Sequence, residues 1–183
     1  MSPHRYVILD RDGTVIRERH YLSDPIQVEL IESAVEGMRR MLEMGLGLIV
    51  ITNQSAVERG IINTDRLQQI HERMKHLLSS EGVNLDGLYY CPHTPEKNCF
   101  CRKPRPGLLQ NAATELNFDM KDAFVIGDKP CDIDLGRGVG AKTFLVRTGY
   151  GAEWEAKGIV NADFAIDTLR DAVPIIERLL NPE

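Results

Sequence analysis

The stretch "LDRDGTV", Leu9 to Val15, sets Asp10 and Asp12 one residue apart where an apolar run gives way to a glycine turn. If the backbone curls at Gly13, both carboxylates lean towards one point beyond the end of a strand. Like charges crowded in this way require something positive there, or something that reacts. Three further polar clusters follow apolar runs or precede a helix: "TNQS" (Thr52 to Ser55), "RKP" (Arg102 to Pro104) and "GDKPCD" (Gly127 to Asp132). Together they supply carboxylates (Asp10, Asp12, Asp128, Asp132), hydroxyl and amide groups (Thr52, Asn53, Gln54, Ser55) and cations (Arg102, Lys103, Lys129). Phosphoryl transfer asks for that inventory: a carboxylate nucleophile, a divalent metal to offset its repulsion from phosphate, and fixed donors for the equatorial oxygens.

The elements that must position these groups can be read from apolar spacing. "RYVILD" predicts a buried strand, "ESAVEGMRRMLEMG" a helix stopped by Gly45, and "LGLIVITN" a second strand. "NTDRLQQIHERMKHLLSSEG" predicts a helix capped by Asn63, Thr64 or Asp65, with apolar positions at Leu67, Ile70, Met74 and Leu77 or Leu78. On that helix His71 and His76 have no assigned role. There follow a strand at "LDGLYYCP", a helix at "RPGLLQNAATELN" with Pro106 in its first turn, and a strand at "DAFVIGD". The chain closes with a short helix at "DIDLGRGVG", a strand at "AKTFLVRTG", an edge strand at "ADFAI" and a terminal helix at "LRDAVPIIERLL". This alternation predicts an α/β, Rossmann-like three-layer fold with a mostly parallel sheet, in which the loops after strand C-termini carry the chemistry. No large cap domain fits between the clusters, and residues 1–183 read as a single domain.

Composition narrows the class. With 183 residues, 43% hydrophobic, 27% charged and 6% aromatic, the chain can bury a core without covalent staples. A formal charge of -5 argues against a nucleic-acid partner but not against a small phosphorylated one. No leader pattern precedes the first strand, and no apolar run approaches the roughly 18 residues of a membrane span. The expectation is therefore a cytoplasmic protein, monomeric or weakly self-associating, with no membrane partner.

In a reducing compartment, clustered cysteines point to metal or catalysis rather than disulfides. "CPHTPEKNCFC" puts Cys91, His93, Cys99 and Cys101 within residues 91–101. Three thiols and an imidazole match a closed, structural, tetrahedral Zn²⁺ site. Such a metal would fix a loop poor in apolar residues so that Arg102 and Lys103 point into the site. Cys131 is left over and reads as packing.

The four clusters, in this order, resemble the haloacid-dehalogenase-like phosphatases: DxDGT, a hydroxyl residue after the second strand, a lysine motif, and GDxxxD. The resemblance implies that Asp10 is the nucleophile and that Asp12 is the acid and then the base, its carbonyl ligating metal. It implies that Thr52 and Lys103 bind the phosphoryl oxygens, and that Asp10, Asp12 and Asp128 form the Mg²⁺ site. The "CPH…CxCRKP" loop is similar to that of the branch acting on heptose 1,7-bisphosphate, from which it removes the 7-phosphate on the route to nucleotide-activated heptose, and on histidinol phosphate. That likeness implies substrate contacts from Asn53, Gln54, Ser55, Arg102 and Lys129, with Arg19 and Tyr21 as further candidates. The heptose-acting members carry an Asn after the first motif and then His-Gly-Tyr; this chain has Ile16, Arg19 and His20, and then the matching Tyr21. Arg11, by strand alternation, is expected to point away from both aspartates, to substrate or to a surface ion pair. A different class, the phospho-accepting signalling module, also combines acidic strand ends with Mg²⁺ and lysine. It has no use for an acid/base at Asp12.

Overall fold

The computed structural model describes residues 5–181; the expectation that no leader precedes the first strand falls partly on residues 1–4 and lies outside them. Its strands are short, and the four central ones are almost wholly buried because they are covered on both faces, whereas the two edge strands are only partly buried. They are β1 (Tyr6–Leu9), β2 (Gly47–Asn53), β3 (Gly87–Cys91), β4 (Phe124–Gly127), β5 (Lys142–Val146) and β6 (Phe164–Ile166). All pair in parallel in one sheet of order β3-β2-β1-β4-β5-β6. The strand order reverses between β1 and β4, and in such sheets ligands bind in the crevice outside the carboxyl ends at that point.

The helices are α1 (Glu32–Glu43), α2 (Thr64–Ser80), α3 (Gly107–Leu116), α4 (Pro130–Gly138), α5 (Gly151–Ala156) and α6 (Ala172–Leu180). Asn63 caps α2 by accepting from the Arg66 N–H at 2.8 Å. Gly45 closes α1 at φ +79°, as the stop signal predicts. Pro106 stands at the N-cap of α3 rather than inside its first turn. The short α5 was not expected, since "GAEWEA" is too brief to carry a helical period.

The core divides across the sheet. One side gathers Val7, Leu9, Leu48, Val50, Ile126 and Phe144 with α1, α2 and α6; the other gathers Tyr6, Ile8, Ile49, Ile51 and Val125 with α3. This is the period-two split of side chains along buried strands, and it makes three layers. Between β1 and α1 the chain forms only isolated bridges and one 3-10 turn (Pro25–Gln27), and between β3 and α3 one 3-10 turn (Pro95–Lys97), so among the described residues no cap domain covers the strand ends. No described helix is long and apolar enough to cross a membrane.

Candidate active site

Asp10 follows directly on β1, Asp128 on β4, and the reversal of strand order brings their carboxylates together. Asp10 is 6% exposed and Asp128 fully buried. A cation must accompany so much buried acid. Lys103 Nζ, itself buried, donates to Asp10 Oδ1 at 2.8 Å and to the Ile51 carbonyl at 2.5 Å, and lies 2.6 Å from Asp132 Oδ1. Its three N–H groups are thereby all placed. Lys129 Nζ sits 4.0 Å from Asp10 Oδ2, 3.8 Å from Asp128 Oδ1 and 3.2 Å from Glu18 Oε2.

These contacts separate the titrations of the acids. Burial alone would push the Asp10 carboxyl up, yet Lys103 and Lys129 outweigh it and hold it below the usual carboxylate range. Asp128 is pushed up to about 8, first by burial and then by the charge on Asp10. Burial also disfavours the charge on Lys103, but Asp10 and Asp132 overcome this and keep its proton on. Asp132 does two jobs: its Oδ2 accepts the Lys129 N–H at 3.1 Å, capping α4, while Oδ1 holds Lys103. The Cys131 thiol is pushed up to about 12, chiefly by burial and then by Asp132, which fits a packed rather than reactive sulfur.

Asp10, Asp128 and Asp132 offer oxygens close enough to share a metal ion. Asp132 is already committed to Lys103, whereas Asp128 Oδ1 is buried with no hydrogen-bond partner. A polar oxygen orphaned beside a second carboxylate suits a divalent cation. The backbone is shaped around this group: a Cβ on Gly13 (φ +83°) or on Gly149 (φ +59°) would collide with Asp128 Oδ2, and the two glycines are themselves in close approach. That oxygen accepts the Tyr150 N–H at 2.9 Å.

Beyond Leu9 the chain leaves the strand, and this overturns the expectation for Arg11. The Val15 and Ile16 amides both donate to the Arg11 carbonyl, at 2.9 and 3.0 Å, so the DGT turn folds back on itself and alternation no longer applies. Arg11 is 1% exposed and faces inward: Nε donates to Asp12 Oδ2 and Nη2 to Asp12 Oδ1, each at 3.0 Å. Nη2 also donates to Gln54 Oε1 at 2.9 Å, and Nη1 meets His71 Nε2 at 3.0 Å. Gln54 Nε2 donates to Asp12 Oδ2 at 2.9 Å and to Thr52 Oγ1 at 2.7 Å. Thr52 still has its own O–H to give.

Asn53, expected as a substrate contact, turns both ends of its amide to the backbone of Lys103: Nδ2 donates to its carbonyl at 3.2 Å and Oδ1 accepts its N–H at 3.0 Å. The end of β2 thus holds the lysine motif in place.

Next to the carboxylates opens a pocket of about 210 Å³, whose wall includes Asp12 and, among the residues expected to contact substrate, Arg11, Tyr21, Asn53, Gln54, Ser55 and Lys129. Glu18, His20, Leu22, Ala56 and Tyr150 complete the wall and were not anticipated. His20 and Tyr21 both hold left-handed backbone, at φ +43° and +60°, and their rings lie 4.7 Å apart. Two expected residues do not join this pocket. Arg19 pairs with Glu29 Oε2 at 2.6 Å, and Arg102 Nη1 donates to the His93 carbonyl at 2.9 Å, facing an adjoining hollow with Arg105. Of the adjacent cations of the RKP motif, Lys103 enters the site and Arg102 braces the preceding loop.

In that loop Cys91, His93, Cys99 and Cys101 converge. Cys91 Sγ lies 3.1 Å from Cys101 Sγ and 3.5 Å from Cys99 Sγ, and His93 Nδ1 lies 3.3 Å from Cys101 Sγ. Four ligand atoms within 4.8 Å of one another could hold a metal ion.

Residues 100–172 match the model of a HAD-hydrolase-like family. The D-glycero-beta-D-manno-heptose-1,7-bisphosphate 7-phosphatase of Pasteurella multocida is 37% identical over 180 residues, covering 94% of this chain and 97% of that protein. The enzyme of the same name from Photorhabdus laumondii is 40% identical over 174 residues, covering 90% and 91%. A crystal structure of D,D-heptose 1,7-bisphosphate phosphatase from B. bronchiseptica, complexed with magnesium and phosphate, superposes with a TM-score of 0.88 at 27% identity, covering 96% of this chain and 99% of that one.

Proposed function

Because the chain belongs to the D-glycero-beta-D-manno-heptose-1,7-bisphosphate 7-phosphatase family of HAD-like hydrolases, we propose that it hydrolyses the 7-phosphate of that sugar bisphosphate through an aspartyl-phosphate on Asp10. The observation that supports this most directly is the convergence of Asp10, Asp128 and Lys103 at the strand ends, beside a pocket walled by Asp12. On this reading residues 1–183 form one phosphatase domain with a metal-stapled loop at 91–101.

Asp10 Oδ1 is held by Lys103, which leaves Oδ2 as the attacking oxygen. Bond formation from Oδ2 to phosphorus accompanies cleavage of the bond from phosphorus to the sugar oxygen, and Asp12 delivers a proton to that oxygen as it leaves. Asp12, now a carboxylate, takes a proton from water; the water oxygen attacks phosphorus, the bond to Asp10 breaks, and inorganic phosphate departs. Each step uses the same residue as acid and then base. Thr52 donates to a phosphoryl oxygen, and Lys129, on the pocket side of Asp10, faces the incoming anion. Lys103, whose donors are all engaged, acts mainly by neutralising and orienting Asp10.

Asp10, Asp128 and the Asp12 carbonyl would hold Mg²⁺, a reading supported by the orphaned Asp128 oxygen and by the magnesium in the B. bronchiseptica homologue. When bound, it supplies charge neutralisation between nucleophile and phosphate. The Cys/His set suits Zn²⁺, whose tetrahedral thiolate ligands stand about 3.8 Å apart, close to the 3.1 to 3.5 Å separations seen here. Unpaired thiols gathered in this way support a reducing, cytoplasmic location.

Phosphate release should be measured across phosphosugars with Mg²⁺, with and without chelator. The reading expects kcat/KM on heptose 1,7-bisphosphate to exceed that on histidinol phosphate, with chelator abolishing both; the reverse order of substrates overturns it.

A further inference from the structure

We propose that His71, on α2, is a positioning residue for Asp12, acting through Arg11 and resting on the reading of Asp12 as the acid and base. The case begins with a cost. Arg11 is among the largest fully buried side chains in the protein, and an ionised guanidinium out of water must find partners for its rigid fork of donors. Two edges of the fork are used. The Nε and Nη2 edge faces Asp12 and Gln54, and the Nη1 corner is fixed by His71 Nε2 at 3.0 Å. Because the fork is planar, anchoring Nη1 sets the angle at which the opposite edge meets the carboxylate.

His71 is itself packed in place. It lies in the apolar stripe of α2 with Leu67, Met74 and Leu78, is 6% exposed, and packs its ring 5.5 Å from that of Tyr90. Burial, then the neighbouring Arg11, pushes the imidazole down to about 3, so at neutral pH it is uncharged. With Arg11 donating to Nε2, the ring proton belongs on Nδ1. The helix thus reaches the reacting centre through one neutral acceptor.

This arrangement distinguishes the two oxygens of Asp12. Oδ2 accepts from Arg11 Nε and from Gln54 Nε2, while Oδ1 accepts from Arg11 Nη2 alone. Oδ1 is the oxygen with room for the transferred proton, and Oδ2 remains gripped in both protonation states. If Arg11 tilts, Oδ1 moves relative to the leaving oxygen, and general-acid catalysis depends on that placement.

Leaving-group dependence tests this. p-Nitrophenolate leaves without protonation, whereas a sugar alkoxide does not. His71→Phe preserves the ring contact with Tyr90 and removes the acceptor. Its kcat/KM on a sugar phosphate should fall about 10- to 100-fold, and on p-nitrophenyl phosphate by far less, while His71→Gln, which restores an acceptor, should recover most of the loss. Equal losses on both substrates, or no advantage of Gln over Phe, overturn the proposal. If His71→Phe does not fold, His71→Met carries the same comparison. Asp12→Asn run alongside separates the premises: if it spares sugar-phosphate turnover, the reading of Asp12 fails; if it abolishes that turnover and His71→Phe shows no split, the positioning role fails.

Discussion

The strand-end cluster and the loops around it solve different problems. At the ends of β1, β2 and β4 nearly every polar atom is committed: Lys103 has three acceptors, Gln54 three partners, Asn53 two. At the rim, His20 and Tyr21 stand exposed on left-handed backbone, and Lys129 gives one hydrogen bond, to Glu18 Oε2 at 3.2 Å, while facing Asp10 and Asp128 from 4.0 and 3.8 Å. On the proposed reading, chemistry that is the same for every phosphate ester is built into buried, interlocked groups, and contact with what the phosphate is attached to is left to a loop.

That contrast can be attacked from the rigid side first. Asp10→Asn should reduce turnover by more than about 10⁴-fold with an unchanged circular dichroism spectrum, because the proposed nucleophile is lost while the fold keeps its core. Lys103→Met should cost about 3 to 5 kcal/mol in urea unfolding as well as activity, since Asp10 and Asp132 are left buried without their cation; a stable variant would mean that solvent reaches this cluster. Cys99→Ser should lose the one bound zinc per chain expected of the native protein, read by mass spectrometry, and lower kcat/KM about tenfold through the bracing of Arg102 and Lys103.

His71 provides a pH test. Its folded value near 3 lies below the ordinary 6.5, so the neutral form is favoured in the fold. Its contribution to stability is complete above pH 6.5 and is lost as pH falls from there towards 3. His71→Gln should flatten the stability profile in that window by on the order of 1 kcal/mol or more. The smallest effect belongs to the rim. His20→Gly should raise stability by about 1 kcal/mol, by relieving left-handed backbone, while raising KM for the sugar phosphate and sparing p-nitrophenyl phosphate. A gain in stability with no change in KM would mean that the ring has no part in binding.

What could be read in advance follows the same division. Asp10, Asp128, Lys103 and the Cys/His set were legible because each sits in a short local pattern after a strand or within one loop. Arg11 was misjudged because alternation was carried past Leu9, where the backbone has already turned. His71 was passed over on a helix that looks polar, although its spacing of four from Leu67 and three from Met74 places it in the apolar stripe. Arg102 and Lys103 are neighbours with the same charge, and only the tertiary anchors, His93 for one and Asp10 for the other, separate their roles. Glu18, His20 and Tyr150 reach the pocket from segments with no periodic pattern.

The approach of Gly13 to Gly149 around Asp128 has a consequence for how such a protein can change. A side chain at either position would displace the carboxylate that the proposed metal needs, so a mutational scan for activity should come back blank at two sites far apart in the chain. The exposed residues Arg19, His20 and Tyr21 carry no such restriction. Variation is thereby channelled: selection for a new phosphorylated substrate can rewrite one loop while the two glycines keep the hydrolytic machinery out of reach.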